Sequence, residues 1–80
     1  MGMATLVCNY PLSEHDVKLA VIIKLVREVT EDALCQPERS LGIGGQVFVT
    51  IRGMDDLLAI QCKLTLQGHG FNPQVTSDGA

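Results

Sequence analysis

The stretch from Ser13 to Cys35, SEHDVKLAVIIKLVREVTEDALC, most constrains what this chain can fold into. It is the longest uninterrupted helical pattern in 80 residues, and shorter apolar runs lie on both sides of it. Ser13 followed by Asp16 is a capping-box-like start, in which a side-chain oxygen meets a backbone N–H that has no helical partner. Pro37 disfavours helical geometry in Gln36 and cannot continue the ladder, so the helix is expected to end near Cys35. At about 3.6 residues per turn, Leu19, Ile22, Ile23, Val26, Val29, Thr30 and Ala33 make a core stripe. Lys24, Arg27, Glu28, Glu31 and Asp32 occupy much of the opposite side. Val17, Val21 and Leu25 remain, and their i, i+4, i+8 spacing reads as a second apolar stripe roughly opposite the centre of the first. A helix lying on a two-layer domain has no internal use for that stripe.

The rest of the chain supplies the partners of this helix. Met3 to Cys8 is a short apolar and β-branched run, expected as a strand in the middle of its sheet. Asn9, Tyr10 and Pro11 turn the chain into the helix, and Gln36 to Ser40 is a polar connector after it. Ser40 to Ile43 reads as a short edge strand with Gly44-Gly45 as the hairpin turn, because such turns need positive φ; a plain loop is the alternative. Gln46 to Arg52 is the clearest strand, with Val47, Val49 and Ile51 facing one way and Phe48, Thr50 and Arg52 the other. Asp55 to Gln67 reads as a second helix stopped by Gly68. Leu57, Ile60 and Leu64 are expected as its core stripe, and Leu58, Cys62 and Leu66 as a second stripe. Phe71 to Thr76 is a last strand, broken by Pro73 and therefore expected on an edge. One domain over 1–76 with a frayed tail over 77–80 follows.

This order implies an α+β two-layer sandwich, an antiparallel sheet with two helices on one face in the ferredoxin-like βαββαβ arrangement. Without the glycine-flanked strand the alternative is a three-stranded βαβαβ layer. Phe48, Thr50 and Arg52 are expected on the face that carries no helices.

Composition adds a second constraint. Hydrophobic residues make up 46% of the chain and eight glycines come on top, while only 19% is charged against a usual level of about 25%. A domain this small buries only about 60% of its unfolded surface, so hiding that much apolar side chain inside one copy is difficult. A homo-oligomer, a dimer first, is the simplest outlet. The net charge is −3, and the six basic residues are scattered among acids. Nucleic-acid binding is therefore not expected, since it rests on clustered Lys and Arg. No stretch is long and apolar enough for a membrane span. Met1 to Tyr10 lacks the basic and apolar regions of a signal peptide. Cys8, Cys35 and Cys62 then read as buried, reduced thiols of a cytoplasmic protein.

No motif with a chemical mechanism survives inspection. His15 sits between Glu14 and Asp16, which repel anions, and no Arg follows it to bind a phosphoryl group. Cys8 is a lone thiol, short of the ligands a metal needs. Gly42-Ile43-Gly44-Gly45 runs into a strand, whereas phosphate-cradling loops run into a helix. Asp55-Asp56 is a helix start. No cofactor, metal or catalytic set is expected. Two functions remain. The first is a non-catalytic interaction module that self-associates and docks on a larger protein through Val17, Val21, Leu25, Leu58, Cys62 and Leu66. The second is a small-ligand-binding regulatory domain. Its site would lie at a subunit seam or at the loops after the first and third strands, where Asn9, Tyr10, Gly53 and Met54 lie and His69 joins.

Overall fold

The computed structural model describes residues 2–31 and 37–77. The chain runs β1 (Met3–Pro11), a 3₁₀ turn (Leu12–Glu14), α1 (His15–Thr30), β2 (Glu38–Leu41), a second 3₁₀ turn (Ile43–Gly45), β3 (Gln46–Asp55), α2 (Asp56–Gly68) and β4 (Gln74–Ser77). The four strands form one antiparallel sheet in the order β2-β3-β1-β4. This is the α+β two-layer, ferredoxin-like arrangement, and the presence of β2 rules out the three-stranded alternative.

β1 and β3 are the central strands, each paired on both sides, and burial alternates along residues 6–10 of β1 and 46–52 of β3. Leu6, Cys8 and Tyr10 of β1 face the helices together with Val47, Val49 and Ile51 of β3. In β3 the alternation breaks after Ile51. Ala4 lies opposite Met54 while Leu6 lies opposite Ile51, so β3 takes one extra residue there as a bulge. Gly53, at φ 70°, supplies the left-handed backbone this needs. The bulge turns Met54 inward, three residues after Ile51, and both are buried.

The hairpin between β2 and β3 forms two residues earlier than the glycines alone predict. Gly44 and Gly45 take positive φ, as expected, but the turn starts at Gly42, whose N–H donates to the Gln46 carbonyl at 2.7 Å. A Cβ on Gly42 would overlap the edge of the Phe48 ring. Phe48 therefore closes over Gly42 on the face without helices, and Ser40 to Ile43 is corrected to Glu38–Leu41.

α1 is shorter than its sequence pattern. Ser13 falls in the 3₁₀ turn and makes no capping hydrogen bond, so the helix proper starts at His15. It ends where Glu31 takes a left-handed conformation (φ 57°) and its N–H returns to the Arg27 carbonyl. The expectations for Asp32, Ala33 and Cys35 lie outside the described residues. α2 starts as expected: the Asp55 carboxylate accepts from the Leu57 N–H at 3.1 Å. β4 is displaced from the expected Phe71–Thr76 to Gln74–Ser77 and lies on an edge. No helix among the described residues is long and apolar enough to cross a membrane.

Candidate functional site

Which face each helix turns outward decides where a partner can dock, and here the structure departs from the sequence reading. On α1, Leu25 is buried beside Ile22 and Val26, and Val21 packs against the core. Only Val17, at 67% exposure, points out. The reason is angular. Residues three apart on a helix differ by about 60° in direction, so Leu25 lies close to Ile22 rather than opposite it. α1 also packs against α2 as well as the sheet, which widens its buried arc to take in Val21 and Leu25. These two are therefore removed from the expected interaction surface.

On α2 the expected faces are exchanged. Cys62 and Leu66 are fully buried together with Ala59, and Leu58 is half-buried. Leu57 (71% exposed), Ile60 (48%) and Leu64 (62%) point away from the core. The buried arc holds Leu58, Cys62, Leu66 and Ala59 without a polar interruption, and its small residues let the helix approach closely. Gln61 and Gln67 flank the other arc. That asymmetry was present in the sequence and is the signal that could have assigned the faces.

The outward flank of α2 and the edge strand β4 enclose a groove of about 530 Å³, lined by Asp56, Ile60, Lys63, Leu64, Val75 and their neighbours. Its lining combines three aliphatic side chains with one acid, one lysine, Gln67 and Ser77. A surface of this make-up suits a partner that buries aliphatic side chains and pairs with both an acid and a base.

The expected ligand-binding residues do not converge. Asn9 lies on the face without helices and donates to the Gln46 side chain at 3.1 Å. Tyr10 lies on the opposite face, 2% exposed, with its Oη 2.7 Å from His15 Nδ1. His69 stands exposed after α2, its Nδ1 3.0 Å from the Thr65 carbonyl of its own helix. Gly53 and Met54 lie at the other end of the sheet, because β1 and β3 are antiparallel and their C-terminal ends point in opposite directions. Beside the Tyr10–His15 pair a cavity of about 340 Å³ is lined by Leu12, His15, Arg39, Ser40, Leu41 and Val47. Burial pushes the Tyr10 hydroxyl above its ordinary range, against the smaller opposing pull of Arg39.

The thiols are equally committed to the interior. Cys8 is 2% exposed, and burial raises it from the ordinary 9.0 to about 11, a shift only partly opposed by a hydrogen bond from the Asn9 backbone. Cys62 is buried as well, and Cys35 lies outside the described residues. Among the described residues, no three His, Cys, Asp or Glu side chains come together as a metal site. No family model matches the chain, and neither a curated protein nor a solved structure resembles it significantly.

Proposed function

We propose that this chain is a small non-catalytic interaction module that self-associates and works by docking on a larger protein. One observation carries the reading: Leu57, Ile60 and Leu64 project outward from α2, a helix whose opposite face already supplies its share of the core. Full burial of one such aliphatic side chain is worth roughly 1.5–3 kcal/mol, so covering these three on a rigid helix is a substantial driving force for association. The side chains with chemical potential support the same reading. Cys8 is buried, and Tyr10 is bonded to His15.

The test is light scattering coupled to size exclusion at tens of micromolar. The wild-type protein is expected to run as a dimer, and Leu64→Glu as a folded monomer with unchanged far-UV circular dichroism. A wild-type protein that is strictly monomeric at this concentration refutes the self-association.

A further inference from the structure

Resting on the reading above, we infer that the partner on α2 is a second copy of this chain. The two copies join edge to edge through β4 to give a continuous eight-stranded sheet with their α2 helices antiparallel across the seam.

The two edges of the sheet differ. β2 carries Glu38 and Arg39, charges of the kind that discourage strand addition. β4 is Gln-Val-Thr-Ser, uncharged and β-branched at its centre, with β1 on one side only. The groove lined by Ile60 and Leu64 lies along this same edge, with Val75 of β4 also lining it. One surface thus offers unpaired backbone groups and apolar side chains side by side.

The spacing of the two layers agrees. α2 packs over β1 and β4, and strands lie about 4.8 Å apart. If two β4 strands pair across a twofold axis, the midline of one β1–β4 pair lies two strand spacings from the midline of the other, about 10 Å. Packed helices lie about 8–10 Å apart. The strand ladder and the helix contact are therefore satisfied by one placement.

Charge selects the direction. Asp56 and Lys63 lie on the groove flank of α2, seven residues apart, or about 10 Å along the axis. Parallel helices would set Asp56 against the same residue of the other copy, and Lys63 likewise against its own counterpart. An antiparallel pair centred between Ala59 and Ile60 sets Asp56 of each copy beside Lys63 of the other, twice per dimer by symmetry. Antiparallel helix dipoles add in the same sense.

The experiment pairs two charge reversals with amide exchange. Asp56→Lys and Lys63→Asp are each expected to weaken the homodimer about tenfold, because each replaces two attractive pairs by repulsive ones. Mixed in equal amounts they are expected to form a heterodimer of near wild-type affinity. There the base introduced at position 56 of one copy meets the acid introduced at position 63 of the other, and the unchanged Lys63 and Asp56 form the second pair. Hydrogen exchange on the wild-type protein, which does not depend on either variant folding, is expected to show protection that rises with protein concentration at the alternate β4 amides whose N–H points away from β1. A wild-type dimer whose β4 amides show no such rise, or whose two folded variants fail to restore each other, overturns the β4 seam while the self-association stands. A wild-type protein that stays monomeric overturns both.

Discussion

Leu64 and Leu66 are two residues apart on α2 with opposite environments, 62% and 0% exposed, so truncating each tests the assignment of the helix faces. Leu66→Ala removes a side chain sealed within the core and leaves a cavity, a change that costs about 2–5 kcal/mol. An 80-residue domain has a total stability of roughly 4–12 kcal/mol at about 0.05–0.15 kcal/mol per residue. At roughly 4–8 °C per kcal/mol for a domain this size, a loss of about 3 kcal/mol lowers Tm by about 12–24 °C. Leu64→Ala removes a side chain that is mostly in water already, and in the monomer it is expected to cost under about 1 kcal/mol. Urea and thermal unfolding followed by circular dichroism at low micromolar concentration measure both. Raising the concentration is expected to leave the Leu66 penalty unchanged and enlarge the Leu64 penalty, because only Leu64 lies on the surface proposed to associate. Equal penalties at low concentration, or a Leu66→Ala cost below about 1 kcal/mol, refute the assignment.

Gly42→Ala drives a methyl group into the Phe48 ring, an overlap expected to cost about 1–3 kcal/mol. Phe48→Ala in the same chain should recover most of it in a double-mutant cycle by urea unfolding, and additive penalties would show that the ring is not held there. Cys8, raised to about 11 in the fold against the ordinary 9.0, is expected to resist alkylation at neutral pH until the protein is unfolded. Its folded pKa is the higher one, so its contribution is complete below pH 9 and is lost as pH rises toward 11. The loss amounts to at most roughly 2–3 kcal/mol at about 1.4 kcal/mol per unit, and Tyr10 adds to it in the same direction. Cys8→Ser should flatten that alkaline decline in urea midpoints measured across pH, and an unchanged decline would rule out the thiol as its source.

How much of this was legible in the sequence depended on whether one local pattern had one solution. β3 was legible because Val47, Val49 and Ile51 alternate with Phe48, Thr50 and Arg52, and only one face could be buried. The start of α2 was legible because Asp55 caps it through a bond two residues away. Met54 escaped the alternation because the bulge at Gly53 shifts the period by one residue. The end of α1 escaped because it depends on Glu31, a residue with no intrinsic preference for the left-handed conformation it adopts. The faces of α2 escaped for a different reason. Two apolar stripes of three residues each fit the helical period, and the period alone does not say which of them is buried. Burial is decided by how closely the helix can approach its neighbours, and there Ala59 and Cys62 outweigh larger leucines. The Tyr10–His15 bond joins two residues across a 3₁₀ turn, a geometry that no periodicity reports.

The apolar excess seen in the composition thus remains, relocated. Part of what α1 showed in sequence is absorbed by its contact with α2. Among what stays outside, which also includes Met3, Leu12 and Val17, two groups differ in kind. Leu41 (67% exposed) and Ile43 (98%) stand at the β2–β3 hairpin, where Gly44 and Gly45 make the backbone pliable, and ordering them against a partner would itself cost entropy. Leu57, Ile60 and Leu64 stand on a regular helix whose other face is locked into the core, so the backbone that presents them is already ordered. Equal areas of exposed aliphatic surface are therefore unequal as binding surfaces, because preorganisation decides how much of the burial survives as affinity. On that ground the α2 flank, beside an edge strand that carries no charge to repel a neighbour, is better suited to serve as the proposed interface than the hairpin tip.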